Sequence, residues 1–310
     1  MNKIKFCIFA DYHYWKTHYP NELFHLENIM KRAKSENVDF VIHCGDFCHN
    51  APDASELIEL YQDNKYGLKT FSCLGNHEAE GAQSFEAVCE AYKMTSNYEY
   101  HDINGFRIII LDSNYYMDEE GVYHHNPPGT HSSPGTRGDA LGDKQRAWLK
   151  KVIEDAEGKC ILFSHATFET DNGAYDANEV RDIINKINEN TPNKVIMCCN
   201  GHYHRNSITV LDNIVYFNVN SALNLEWKPD INPGLTEEFI NSARMAGNCC
   251  FAKDALSAIV TISDDTHVVI EGAQSEYLFG ASPEKAGWNT EDRFGRKSEP
   301  QISYADIFLK

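Results

Sequence analysis

Five short motifs bring metal-ligating and proton-transferring side chains into one chain: Asp11-Tyr12-His13, Gly45-Asp46-Phe47-Cys48-His49, Gly75-Asn76-His77-Glu78, Ser164-His165-Ala166 and Gly201-His202-Tyr203-His204. Each follows a short apolar run and ends in oxygen or imidazole donors. Asp11 and His13 are two residues apart, so just past a strand's end both can reach one ion; alone, such a pair is equally a surface pair. Asp46 has two carboxylate oxygens and can bridge two cations, although an acid ending an apolar run is also a helix cap. Gly45 allows the tight turn that places it. Asn76 offers a neutral carbonyl oxygen and His77 can face a bound phosphate; the competing reading is a turn in which Asn tolerates an unusual φ. His165 alone reads as a hydrogen-bonded core histidine. His202 and His204, after a glycine, read as a metal edge or as a surface pair in a turn. The ordered set carries the argument. It supplies seven metal ligands (Asp11, His13, Asp46, Asn76, His165, His202, His204) and, beside them, a histidine free for chemistry, His77, each at the end of a strand, where α/β folds place their sites.

The elements that position these residues alternate. Near-continuously apolar runs at 4–10, 38–44, 70–74, 106–111, 160–164 and 194–199 read as strands buried on both faces. Between them, Leu23, Leu26, Ile29, Met30 and Ala33 recur at helical spacing, as do Leu57, Leu60 and Tyr61, then Trp148, Leu149, Val152 and Ile153, then Ile183, Ile184 and Ile187. The alternation argues for an α/β fold. After His204 the pattern changes to short β runs at 208–211, 214–219, 257–262 and 267–271, with turns at Asp212-Asn213 and Asp264-Asp265. These runs suggest a second, hairpin-rich sheet packed on the first, with helices outside. Residues 114–139, dense in Gly, Pro, Tyr and His without periodicity, read as a lid loop, with Tyr115, Tyr116, Tyr123, His124, His125, His131 and Arg137 as candidates to meet a leaving group. Trp227 and Arg205 are further candidates.

The 310 residues, 42% of them hydrophobic, suffice for a sizeable core. No apolar stretch approaches the roughly 20 residues of a membrane span. The first apolar run ends at Asp11, too short for a signal peptide, and reads as a strand. Ten cysteines, several inside apolar runs, read as reduced thiols in a cytoplasm; Cys44 and Cys48 lack zinc-finger spacing. The formal net charge of −18 counts against binding a nucleic-acid backbone, so a phosphate site must be made positive locally, as metal ions do.

The ordered motifs resemble those of the calcineurin-like metallophosphoesterase superfamily over residues 4–272. Within it, Gln145-Arg146-Ala147-Trp148-Leu149 and Leu111-Asp112-Ser113 resemble segments of the cyclic-nucleotide and glycerophosphodiester phosphodiesterases and of purple acid phosphatases. His49 stands where purple acid phosphatases carry an iron-binding tyrosine, which argues against a tyrosinate–iron site. The resemblance implies a four-layer α-β-β-α sandwich of two mixed sheets with flanking helices. Residues 1–275 are expected to form the catalytic domain, and the stretch 276–310, polar with several Gly and Pro residues, an irregular C-terminal tail. The resemblance implies one metal on Asp11, His13, Asp46 and His204, a second on Asp46, Asn76, His165 and His202, and His77 beside the phosphate. The ligand chemistry suits two divalent or trivalent transition-metal ions, manganese, iron or zinc. The implied reaction is hydrolysis of a small phosphorylated substrate, with a metal-bridging hydroxide attacking phosphorus. The leading expectation is a phosphodiesterase. The alternatives are a phosphomonoesterase, a nuclease, which the charge disfavours, and a non-catalytic metal-binding scaffold.

Overall fold

A computed structural model describes residues 2–15, 22–78, 80–81, 84–135, 137–170, 173–243, 246–292 and 295–310. In chain order, its first half runs β1 (Lys3–Phe9), α1 (Glu22–Ser35), β2 (Phe40–Cys44), α2 (Ser55–Gln62), β3 (Thr70–Cys73), α3 (Phe85–Ala91), β4 (Glu99–Ile103), β5 (Phe106–Ile110), β6 (Tyr115–Met117), β7 (Tyr123–His125), α4 (Gly142–Glu154) and β8 (Lys159–Phe163). Its second half runs α5 (Ala177–Asn190), β9 (Val195–Asn200), β10 (Ser207–Leu211), β11 (Ile214–Asn218), β12 (Asn224–Trp227), α6 (Glu237–Ser242), β13 (Cys249–Phe251), β14 (Ala258–Ser263), β15 (His267–Gly272) and β16 (Ala305–Phe308).

Two six-stranded mixed sheets result, ordered β16-β15-β14-β1-β2-β3 and β10-β11-β9-β8-β5-β4. Alternate residues of each strand serve two different cores, which is why the runs are apolar throughout. On β1, Ile4, Phe6 and Ile8 point between the sheets, where they meet Ile108, Ile110, Ile161 and Phe163. Cys7 and Phe9 point outward to Leu26, Ile29, Leu57 and Tyr61 of α1 and α2. On β8, Cys160 and Leu162 pack under Leu149, Val152, Val180 and Ile184 of α4 and α5. The layers are helix, sheet, sheet, helix.

The late hairpins do not form a sheet of their own. β10 and β11 extend the β9-β8-β5 sheet, with β11 parallel to β9, whereas β14 and β15 extend β1 on its far side. Short apolar runs record burial but not the partner, and each parallel core had an open edge to fill. The 114–139 segment is not wholly irregular, because it opens with the β6–β7 hairpin. Among the described residues the tail carries one short helical turn before Tyr304 and ends in β16, which pairs antiparallel with β15. All ten cysteines are free, nine of them buried. Among the described residues no helix is long and apolar enough to cross a membrane.

Between the sheets, Phe6 stacks on Phe40 at 5.0 Å and meets Phe163 edge-on at 5.5 Å. Phe163 is fully buried and only two residues before His165. Phe163→Ala is expected to destabilise the fold by about 3–5 kcal/mol, read by urea unfolding, since it leaves a cavity that neither sheet can close alone. A loss under about 1 kcal/mol would mean that the sheets move together freely there.

Candidate metal centre

The parallel strands of both sheets end at one place, and their loops are knitted together there. The Asp11 N–H donates to Gly45 O at 3.0 Å, His13 N–H to Asp46 O at 2.8 Å and Gly201 N–H to His165 O at 3.1 Å. The Ser221 hydroxyl donates to Asp11 O at 2.7 Å. Two glycines let backbone and carboxylate touch. A Cβ on Gly75 would lie 2.2 Å from Asp46 Oδ1, and one on Gly201 would lie 2.5 Å from Asp11 Oδ2. Asp11, His13, Asp46, His202 and His204 all adopt left-handed backbone, with φ of 50, 52, 51, 72 and 49°. Asp and His enter that region more readily than bulkier residues, and such strain gathers where a loop is bent for function.

All seven expected ligand residues and His77 come together here. Asp11, His13 and His204 form one group whose donor atoms lie within 4.8 Å of one another, and Asp46, His165 and His202 form a second. In the first, His13 Nε2 is 2.9 Å from His204 Nε2, and His204 Nε2 is 3.4 Å from Asp11 Oδ1. In the second, His165 Nε2 is 3.1 Å from Asp46 Oδ2, 3.1 Å from Asn76 Oδ1 and 3.2 Å from His202 Nδ1. Asp46 lies between the two groups, its Oδ2 also 3.9 Å from His13 Nε2. Its Oδ1 accepts the His77 N–H at 2.9 Å.

His165 Nδ1 lies 2.8 Å from the Cys44 carbonyl, which only accepts, so Nδ1 carries the hydrogen. A neutral His165 then turns a bare Nε2 toward two oxygen acceptors, Asp46 Oδ2 and Asn76 Oδ1. Asn76 is held in that orientation because its Nδ2 donates to the His131 carbonyl at 2.9 Å. Three acceptors facing one another need a positive charge among them, and a metal ion or a proton supplies it. Without an ion the proton is favoured: burial opposes the imidazolium, but the Asp46 carboxylate outweighs burial and pushes His165 up to about 10. Burial likewise works against the Asp46 charge, but His165 and His77 hold this carboxyl well below the usual range. Burial drives His13 well below its ordinary value and His202 below it, so both keep a free lone pair. Two carboxylates, one amide oxygen and imidazole lone pairs fit a pair of transition-metal ions.

Glu78 scaffolds the turn. It is fully buried and accepts from the backbone N–H groups of Asp46 (3.1 Å), Phe47 (2.6 Å) and Gly75 (2.7 Å), tying the β2 loop to the β3 loop. Burial, together with the nearby Asp46 charge, pushes it up to about 7. Around the centre, Glu80 meets His49, His77 and His131, and Asp139 Oδ2 lies 3.7 Å from His202 Nε2.

Of the lid candidates, His131 reaches the centre; the others serve the lid's own attachment. His125 pairs with buried Asp112 at 2.7 Å, Tyr115 bridges Ala140, Tyr123 takes a hydrogen bond from Arg146, and Arg137 donates to Asp118 O. Tyr116 and His124 pack ring to ring, and His124 pairs with Asp118. Gln145, on α4, clamps the Asp112 backbone from both sides. Arg205 is turned to Glu226 at 2.8 Å, and Trp227 is exposed. Sequence reasoning passed over Glu80 and Asp139 and gave Glu78 no role. Glu80 left one trace, a carboxylate three residues after His77.

The family model of the calcineurin-like phosphoesterases matches residues 4–206. None of the curated proteins matches the chain. Among solved structures, a dimetal phosphatase from Danio rerio is similar in fold, with a TM-score of 0.63 and 14% identity over 100% of both chains. GAP50 of Plasmodium, described as the anchor in the inner membrane complex, is similar with a TM-score of 0.57 and 11% identity over 100% of this chain and 90% of that one. With its family model covering the strands and loops that carry all eight residues, this chain belongs to the calcineurin-like phosphoesterases and is a metal-dependent hydrolase of phosphoric esters.

Proposed function

We propose that the protein is a phosphodiesterase that takes a small monoanionic diester. One observation carries this reading. Two clefts border the centre, and among the described residues neither is lined by Lys or Arg. One, of about 410 Å³, is lined by Trp15, His49, Asp53 and Glu80. The other, of about 480 Å³, is lined by Asn76, His131, Asp139, Tyr175 and His202. A diester has two substituents and uses both clefts. A monoester dianion brings one more negative charge to walls that already carry carboxylates and offer it no cationic side chain.

In this reading Asp11, His13, Asp46 and His204 hold one cation, and Asp46, Asn76, His165 and His202 hold the other, with Asp46 shared. Bound there, manganese, iron or zinc supplies positive charge for the phosphoryl oxygens and a water whose pKa falls toward about 7 from 15.7, fit to attack phosphorus. His77 manages the leaving oxygen. Its Nδ1 is tied to Glu80 at 2.8 Å, which keeps Nε2 for the ester. Burial opposes a charged ring there, but Asp46 and Glu80 outweigh it and raise the His77 value in the metal-free site; with the ions on Asp46, Glu80 is the partner that would favour a ring able to hand a proton to the leaving group.

Reconstituted with manganese, the protein is expected to hydrolyse bis-p-nitrophenyl phosphate faster than p-nitrophenyl phosphate; the reverse order would make it a monoesterase. His77→Ala is expected to keep both ions and lose about 10²–10⁴-fold in kcat, whereas Asp46→Asn loses both ions. Full activity in His77→Ala would remove its catalytic role.

Metal binding is also expected to release a proton. His165, at about 10, holds one at neutral pH in the metal-free protein, and a cation on Nε2 must displace it. Affinity for the more pH-sensitive ion therefore rises about tenfold per pH unit from pH 6.5 to 8.5, read by manganese titration. The metal-free fold behaves in the opposite sense: His165 is raised, so its stabilisation is complete below about 6.5 and fades as pH climbs toward 10. A pH-independent affinity would take His165 out of the ligand set.

A further inference from the structure

Glu80 belongs to neither group of expected ligands, yet three imidazoles converge on its carboxylate. Its Oε2 lies 2.8 Å from Nδ1 of His49 and 2.8 Å from Nδ1 of His77, and its Oε1 lies 3.0 Å from Nδ1 of His131. The far nitrogen of His49, Nε2, lies 3.2 Å from Nδ1 of His13. Ring packing holds these planes: Trp15 stacks on His49 at 4.9 Å, and His131 stacks on His77 at 4.9 Å and 10°.

An ionised carboxylate only accepts hydrogen bonds, so each of the three Nδ1 atoms carries its hydrogen. A neutral His49 is then left with Nε2 as an acceptor, 3.2 Å from Nδ1 of His13. His13 therefore donates from Nδ1 and presents a bare Nε2 to the centre, the atom that faces His204 and Asp46. On His77 the same rule reserves Nε2 for chemistry. Glu80 thus acts on two histidines with different duties, one directly and one through an intervening ring. The lid joins the same knot: His131 donates to Glu80 from its side chain, and its carbonyl turns the Asn76 amide so that Oδ1 faces His165.

We propose that Glu80 is the positioning residue of this site: through His49 it sets the tautomer of His13, it directly sets that of His77, and it draws the lid onto the centre through His131. The His77 arm rests on the phosphodiesterase reading; the His49–His13 arm rests on metal binding alone. Outer partners that hold a ligating histidine in one tautomer typically account for 10–100-fold in metal affinity.

The test uses the full chain loaded with Mn²⁺. Free Mn²⁺ is followed by electron paramagnetic resonance, and kcat and KM are measured on bis-p-nitrophenyl phosphate. Glu80→Gln keeps size but offers one acceptor oxygen and a donor in place of two acceptors. It is expected to weaken one of the two Mn²⁺ ions about 10–100-fold, leave the other near wild type, and lower kcat at saturating Mn²⁺. His49→Phe, which keeps the ring against Trp15, is expected to weaken the same ion with a smaller fall in kcat. Combining the two is expected to add nothing further to the affinity loss, because they cut one chain. His131→Phe is expected to raise KM and leave both affinities near wild type. A thermal melt of each variant separates loss of folding from loss of the ion. If Glu80→Gln and His49→Phe both bind two Mn²⁺ with wild-type affinity, the relay is wrong. Three ions in the wild type falling to two in Glu80→Gln would also overturn it, since Glu80 would then be a ligand itself. If the wild type binds two ions but hydrolyses no ester, the phosphodiesterase reading fails, while the affinity measurements still decide the relay.

Discussion

The rest of the structure is arranged around the contact between Asp46 and His165. It joins the carboxyl end of β2 in one sheet to that of β8 in the other, and it is buried on both sides. A buried carboxylate without a positive partner is costly, and here the nearest imidazole turns a lone pair, not an N–H, toward it unless it takes up a proton. The fold has placed charge where only a cation or a proton makes it tolerable. Much of the local architecture keeps that arrangement from relaxing. Gly75 lets the β3 loop lie against Asp46, Cys44 O fixes the His165 tautomer, and His131 O fixes the Asn76 amide.

Glu78 shows how this demand spreads into the scaffold. It satisfies three backbone N–H groups that would otherwise be buried and unpaired, yet it stands beside Asp46 and is pushed up to about 7 by burial and that charge. Two carboxylates near one another are tolerable if positive charge gathers on the side of Asp46 away from Glu78. Cations in the centre supply it, so the ions and the Glu78 turn support each other. Metal binding and local folding are in that sense one equilibrium.

Much of the fold could be read from the chain because its signals are local. A run such as 38–44 is apolar at every position, and a double-faced parallel strand is the simplest element that buries it. Which sheet the 208–219 and 257–271 hairpins join could not be read the same way, because pairing partners lie far apart in sequence and both sheets had a free edge. The seven ligand candidates were legible because each follows a strand, and topology then brings strand ends together. Glu80 was not legible. Its role depends on three Nδ1 atoms from residues 49, 77 and 131 meeting at one carboxylate, and a spacing pattern does not encode which ring nitrogen faces where. His49 was visible only as a departure from tyrosine, although its position between Glu80 and His13 is the more informative fact.

The overall charge and the site pull in opposite directions, and that opposition narrows what the protein can bind. A net charge of −18 repels anions at long range. Arg205 is committed to Glu226 and Arg137 to the lid backbone, and among the described residues neither cleft beside the centre is lined by Lys or Arg. In the proposed phosphodiesterase reading, a ligand would be held chiefly through its phosphoryl oxygens, with its substituents beside Trp15 and Tyr175 and alongside Asp53 and Asp139. Such walls favour substituents that are neutral or positively charged and offer aromatic or hydrogen-bonding surface. A second phosphate on either side would lie against carboxylates, with no Lys or Arg among the described residues of either wall. In that reading, the same acidic walls that make the centre dependent on its cations would favour a ligand with a single phosphoryl group.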